Sequence, residues 1–205
     1  MDWFNKKTKD LLITGTTPSL IIGGTTSPIN AGNVSNKGFE FEIGWRDNIG
    51  DFNYSIKGNL ATLKNKVTYL DPSLTRANGT TFHTNTITYF EEGYPVYYFR
   101  GYRCEGINPE DGEPIFADLD NNGIINEDDK TYIGDAIPDF TYGLTLTAAW
   151  KGLDLTIFGS GSYGNDVFSC INRPDHASAN KLSEVFYKDR WTPEHTNAHA
   201  PRLSL

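Results

Sequence analysis

At 205 residues the chain is long enough for one large all-β domain or two smaller ones, and 13% aromatic residues with 20 Gly and 10 Pro favour strands and turns over helices. A formal net charge of −8 argues against a nucleic-acid partner, whose phosphates demand a basic face. No run approaches the roughly 18 apolar residues that a spanning helix needs, which excludes a helical membrane protein but leaves a β-barrel open. The opening Met1-Asp2-Trp3-Phe4-Asn5-Lys6-Lys7 has no apolar segment behind its charges, so no signal peptide is expected there.

Residues 3–13 are strand-like, with imperfect alternation, and residues 14–36 read as a long loop in which Pro18 and Pro28 forbid a continuous ladder. The pattern then sharpens. Phe39, Phe41, Ile43 and Trp45 alternate with Glu40, Glu42, Gly44 and Arg46, a period-two strand with one apolar and one charged face. Residues 47–51 form a turn. Phe52, Tyr54, Ile56 and Leu60 then alternate with Asn53, Ser55, Lys57 and Asn59, so the two segments predict a hairpin.

Residues 65–139 are long and mixed. Within them, Tyr94, Tyr97, Tyr98, Phe99 and Tyr102 make the most aromatic stretch, which suits stacking on sugar faces in a lumen or packing against neighbouring loops. The paired acids Glu91-Glu92 have no catalytic partner in view and read as a solvated strand end.

Residues 118–129, Asp-Leu-Asp-Asn-Asn-Gly-Ile-Ile-Asn-Glu-Asp-Asp, read as a twelve-residue calcium loop. Ca²⁺ takes about six to eight hard oxygen ligands, and a Gly at the sixth position permits the turn that points them inward. Asp118, Asp120 and Asn122 supply side-chain oxygens and Ile124 a backbone carbonyl; Asn126 acts directly or through water, and Asp129 closes the site. Asp at the last position is shorter than the usual bidentate Glu. Ile125, pointing away from the ion, is expected to pin the loop to an apolar surface. The alternative is a plain polar turn, since Asp, Asn and Gly are turn-formers. The flanks, a turn and strand before and a short Gly-stopped segment after, suit a structural ion rather than a helical sensor.

Phe140, Tyr142, Leu144, Leu146, Ala148 and Trp150 form another clean strand, turned by Lys151-Gly152 into Leu153, Leu155 and Ile157, with Phe158 breaking the alternation. The chain from Gly159 is expected to be loop, with a short helix at 179–188; Gly159-Ser160-Gly161-Ser162-Tyr163-Gly164 resembles a phosphate loop only in composition and reads better as a small-residue strand end. His195 and His199, bracketed by Pro193 and Pro201, read as loop rather than a zinc pair; His83 and His176 are isolated. Cys104 and Cys170 make no metal motif and are either paired or free.

Taken in order, the connections alternate long and short, as in an outer-membrane barrel with tight periplasmic turns and long extracellular loops, and Trp45 and Trp150 flank the short turns where an interfacial girdle belongs. A soluble β-sandwich also alternates. The fold expected is all-β: antiparallel up-and-down strands from a large transmembrane β-barrel with long extracellular loops.

Residues 30–40 (Asn-Ala-Gly-Asn-Val-Ser-Asn-Lys-Gly-Phe-Glu) and Glu92-Gly93-Tyr94-Pro95-Val96 resemble the barrel strands of SusC/RagA-type TonB-dependent transporters. So do residues 118–125, Ile133-Gly134, Phe140-Thr141-Tyr142-Gly143, residues 151–155, Gly164-Asn165-Asp166 and Arg190-Trp191-Thr192-Pro193, in the family's order. The resemblance implies a non-enzymatic outer-membrane importer of oligosaccharides or peptides, capped by a SusD-like lipoprotein, energised by TonB and bathed in outer-membrane lipid. It further implies that residues 1–205 are part of the barrel, with signal peptide and plug before Met1 and closing strands after Leu205. The alternative from another class is a secreted or cell-surface glycan-binding β-domain with a structural calcium ion.

Overall fold

The computed structural model describes residues 1–14, 28–82, 85–169 and 184–202. In chain order the strands are β1 (Asp2–Thr14), β2 (Pro28–Ile49), β3 (Phe52–Thr62), β4 (Lys64–Leu70), β5 (Ala77–Asn78), β6 (Thr81–Phe82), β7 (Asn85–Thr86), β8 (Thr88–Phe90), β9 (Tyr98–Tyr102), β10 (Cys104–Ile107), β11 (Pro114–Phe116), β12 (Lys130–Gly134), β13 (Phe140–Trp150) and β14 (Leu153–Tyr163). A 3₁₀ turn spans Glu127–Asp129 and a short helix, α1, spans Glu184–Asp189. Two compact units result: Met1–Phe99 with Gly134–Asp166, and Arg100–Ile133 with Val167–Leu205.

The first unit is built on a 6-stranded antiparallel sheet in the order β1-β2-β3-β13-β14, with β4 also paired to β2. The offset that pairs Glu40 with Ala61 also pairs Lys37 with Lys64, so β3 and β4 continue one another as a single long partner of β2. β2 therefore starts at Pro28, well inside the segment expected to be loop. Proline is tolerated at the first residue of a strand, where no ladder hydrogen bond is lost. Strand also runs through residues 64–70, at the head of the segment that reads as long and mixed, and through 159–163, where the small-residue strand end continues β14 past the point at which loop was expected; Pro18 lies outside the described residues.

The short connections are two-residue hairpins. Ile49 pairs with Phe52 and Trp150 with Leu153, so Asp47 and Asn48 belong to the strand and not, as the sequence suggested, to the turn. Lys151 (φ 45°) and Gly152 (φ 85°) both have positive φ, the signature of a type I′ turn whose twist matches the flanking strands.

Because paired residues share a face and neighbours alternate, the register defines each side of the sheet. One side carries Phe41, Leu60 and Tyr142 in one row, Trp45, Ile56, Leu146 and Ile157 in another, and Ile49, Phe52, Trp150 and Leu153 at the turns. These side chains are largely exposed: Ile43 is 61% and Leu155 59% accessible. The other side carries Glu42 with Asn59 and Ser160's row, then Arg46, Ser55, Thr147 and Thr156; the Ser55 and Thr147 hydroxyls lie 2.5 Å apart. Phe158, the residue that broke the alternation, stands on this polar side opposite Thr145.

Beyond Gly38 the buried side changes. Val34 and its partner Val67 lie on the side opposite Phe39, and they form the core with Ile13, Leu70, Leu74, Ala77 and Phe90. The Phe90 ring crosses Gly32 so closely that a Cβ there would sit 2.8 Å from its Cζ, which is why this rung tolerates no side chain. Residues 71–99 supply the cover as small antiparallel pairs, β5 with β8 and β8 with β9.

In the second unit β10 and β11 form a hairpin and β12 runs beside β9. The tail is tied to the 108–113 turn: Trp191 Nε1 donates to the Pro109 carbonyl at 3.0 Å, Arg202 engages Glu113 through two nitrogens at 2.9 and 2.6 Å, and the indole covers Gly112. The helix expected at 179–188 is present as α1 over Glu184–Asp189, while residues 179–183 lie outside the described residues.

Leu12 (69% exposed) and Ile13 (8%) are chain neighbours in opposite surroundings. Ile13→Ala is expected to lower unfolding stability by about 2–5 kcal/mol and Leu12→Ala by no more than about 0.5 kcal/mol, measured by urea titration. A larger loss at Leu12 would place the core on the wrong side of β1.

Candidate metal centre

Loop 118–129 is wound by its own short polar side chains. Asp118 accepts the Gly123 amide at 2.8 Å and the Asn122 amide at 3.2 Å; Asp120 accepts the Asn122 amide at 3.0 Å, and Asn122 Oδ1 accepts that of Ile124 at 2.7 Å. Such side-chain-to-backbone bonds, two to five residues ahead, are what Asp and Asn offer in turns. Asn121 (φ 58°) and Gly123 (φ 80°) supply the left-handed positions that coil the chain.

Asp129 closes the loop. It is 0% exposed, and its two carboxylate oxygens accept the Leu119 and Asn126 amides, each at 2.8 Å. With Asn126 Oδ1 accepting the Asp128 amide, this makes a reciprocal capping box at the 3₁₀ turn. One carboxylate thus fixes both ends of the loop.

Ligating oxygens of Asp118, Asp120 and Asp129 lie within 4.8 Å of one another. Three converging carboxylates are a hard, anionic donor set of the kind that suits Ca²⁺ or Mg²⁺. The Gly123 amide, the largest influence, holds the Asp118 carboxyl below its ordinary value, with partial burial opposing it and the Asn122 amide reinforcing it.

Of the six residues expected to bind a metal, the structure brings together the three carboxylates. The others are engaged within the loop: Asn122 Nδ2 donates to Asp120 at 2.7 Å and Asn126 Nδ2 to the Ile124 carbonyl at 3.3 Å. Ile125 is exposed and does not pin the loop as expected, because the buried Asp129 already anchors it. The flanks are the strands β11 and β12, in keeping with the sequence reading.

The remaining candidates resolve into local contacts. Glu91 is not a solvated strand end: it accepts the Tyr98 hydroxyl at 2.5 Å and lies 3.5 Å from Arg76. Tyr98 is buried and stacks on Tyr94 with centroids 4.6 Å apart, so this part of the aromatic stretch packs on itself. His195 Nδ1 lies 3.3 Å from the Arg190 carbonyl and His199 Nδ1 3.3 Å from Asp189; among the described residues they join no ligating cluster. The Cys104 thiol is free and exposed, donating to the Gly106 carbonyl, while Cys170, His83 and His176 lie outside the described residues. The Arg76–Glu91–Tyr98 contact and the Arg202–Glu113 pair were not anticipated, since nothing local in the sequence marks partners that far apart.

No family profile matches the chain. Among curated proteins it is 30% identical over 226 residues to TonB-dependent receptor P3 of Formosa agariphila, covering 100% of this chain and 22% of that protein. It is 26% identical over 223 residues to the TonB-dependent receptor SusC of Bacteroides thetaiotaomicron, covering 100% and 21%. Among solved structures, the RagAB peptide transporter superposes with a TM-score of 0.75 at 23% identity, over 98% of this chain and 23% of that one. The chain spans about a fifth of the length of the curated relatives it matches. The relatives are receptors and transporters rather than enzymes, and their similarity runs the length of the chain: it belongs to the SusC/RagA-type TonB-dependent receptor family.

Proposed function

We propose that the chain forms consecutive wall strands of an outer-membrane barrel that imports oligosaccharides or peptides, with a SusD-like lipoprotein and TonB as partners of the whole protein. The observation that carries this reading is the exposed apolar band on one side of the sheet, aligned by register from Phe39 to Ile49 and across β3, β13 and β14. The band covers about ten residues, or roughly 33 Å along the strand. Tilted by about 40°, that is roughly 25 Å, the height of the lipid-facing band of such barrels. Its ends carry aromatic residues, Trp3, Phe39, Phe140 and Tyr163 at one and Phe52 and Trp150 at the other, as interfacial girdles do. The opposite side, with Glu42, Arg46, Lys57 and Thr145, suits a polar lumen. A self-contained glycan-binding domain would bury its apolar side, so that alternative fits poorly.

We further infer that residues 118–129 hold a structural Ca²⁺ through Asp118, Asp120 and Asp129, with Asn122, the Ile124 carbonyl and Asn126 completing the shell once their internal hydrogen bonds rearrange. The ion would neutralise three carboxylates that otherwise repel one another, and so brace the connection between β11 and β12.

Spin labels test the wall. In the membrane-embedded protein, labels replacing Ile43, Ile56, Leu144 and Leu155 are expected to be relaxed by oxygen, and labels replacing Glu42, Lys57 and Thr145 by a water-soluble reagent; equal responses would sink the reading. Ile43→Arg, near mid-band, is expected to destabilise the membrane-embedded protein by about 2–4 kcal/mol, whereas Ser160→Arg on the polar side changes stability by no more than about 0.5 kcal/mol.

Calorimetry tests the ion. Wild-type protein is expected to bind Ca²⁺, and the Asp118→Ala, Asp120→Ala double variant to lose that binding; equal isotherms would refute the assignment. Asp118 has a depressed folded-state pKa, so its stabilising contribution is present above the ordinary carboxyl value near 3.8 and is lost as pH falls through the lower folded value. Ca²⁺ affinity is therefore expected to hold through neutral pH and to collapse only below about pH 4.

A further inference from the structure

The side of the sheet that carries the apolar band does not stay apolar beyond it. Past the row of Trp3, Phe39 and Phe140, the next rung pairs Asn5 with Lys37 and Lys37 with Lys64, and the one after pairs Lys7 with Ser35 and Ser35 with Lys66. The alternation that puts Phe39 and Ile43 on one side puts Lys7, Lys37, Lys64 and Lys66 on the same side. All four are exposed, in a chain whose net charge is −8. Of the acids flanking the cluster on these strands, Asp2 and Glu40 pair with one another on the opposite side, and Asp10, at the β1 bulge three residues beyond Lys7, forms no ion pair with any of the four lysines. Among the described residues none of the four lysines forms an ion pair or a side-chain hydrogen bond.

Such a cluster is unfavourable by itself. Lys37 and Lys64 are directly opposite across the ladder, where like charges repel. Ser35, between Lys7 and Lys66, is only 5% exposed and its hydroxyl is the one buried side-chain oxygen without a hydrogen-bond partner among the described residues. Four exposed cations on one face, none with an ion-pair partner, are a complement to an anion such as a phosphate.

Resting on the reading that the apolar band faces lipid, the geometry points to a binding site for the phosphate of an anionic lipid headgroup, built by Lys7, Lys37, Lys64 and Lys66. The lipid is singled out over a free anion by continuity. The lysines begin one rung beyond the aromatic row, where a lipid whose chains lie on Ile43 and Phe41 would place its headgroup. They sit at the end with the long connections, which under this reading is the outer leaflet. The site joins neutralisation of the lysines to seating of the acyl chains, which inorganic phosphate cannot supply.

The test compares the membrane protein in nanodiscs of phosphatidylcholine alone and with 20% diphosphoryl lipid A or phosphatidylglycerol as probes, at about fivefold affinity per lysine lost. Native mass spectrometry is expected to find anionic lipid retained by wild type and by the four-fold Lys→Arg variant, and reduced at least tenfold in the four-fold Lys→Gln variant. Thermal unfolding adds a readout with opposite signs: Lys37→Gln is expected to raise the melting temperature in phosphatidylcholine, by relieving repulsion, and to lower it with anionic lipid present. Equal retention by wild type and the Gln variant, a shift of the same sign in both lipids, or competition by millimolar inorganic phosphate would each overturn the site. A spin label at Ile43 separates the two readings: if it reports hydrocarbon while retention is unchanged, the lysine site alone fails, and if it reports water, the wall reading fails with it.

Discussion

Everything in the first unit depends on one constraint, an antiparallel register that runs without a shift from β2 through β3 and β13 to β14 and takes in β1 from Asp2 to Thr8. A β-ladder with a period of two has no freedom to mix its sides: a shift of one residue in any strand would move its whole apolar set to the polar side. The two-residue turns after Ile49 and Trp150 hold that register at one end, where left-handed Lys151 and Gly152 match the twist of the strands. Once the turns are set, Ile43, Ile56, Leu144 and Leu155 have no route to a protein core and remain as an exposed band.

The same strands then do something different farther along. Above Gly38 the buried residues are Val34, Val67 and Leu70, on the opposite side, because residues 71–99 fold back there and give them Phe90 and Leu74 to pack against. The long connection is therefore not a passive loop. It supplies the only conventional protein core among the described residues of this unit, and the close approach of Phe90 to Gly32 shows how tightly it seats.

Loop 118–129 shows a second way of building order from little apolar material. Its short acidic and amide side chains each bind the backbone a few residues ahead, and the buried Asp129 ties Leu119 to Asn126. Carboxylates drawn together for backbone reasons leave a cluster of negative charge, and a hard cation is the natural way to relieve it. Strand wall and loop thus share a logic: backbone geometry fixes where side chains go, and the exposed face or charge cluster it leaves defines what the surroundings must supply.

By itself the sequence determined the elements whose signal is local. Phe39 to Trp45 and Phe140 to Trp150 declared a period of two, Lys151-Gly152 declared a tight turn, and Asp118, Asp120 and Asp129 declared a convergent loop through spacing alone. Strand lengths, the side on which the core forms and every long-range pairing were decided only by tertiary structure. Residues 28–36 looked like loop because their apolar content is thin, yet they form the first nine of the 22 residues of β2, with β1 along one edge and β4 along the other from Gly32. Glu91 looked like a solvated acid until Arg76 and Tyr98 were brought to it. Lys7, Lys37, Lys64 and Lys66, scattered over 60 positions of sequence, became one surface only through the register. Local periodicity is carried by neighbouring residues and can be read directly, whereas pairing between distant strands depends on loop closure and on what packs above the sheet, and no single segment encodes either.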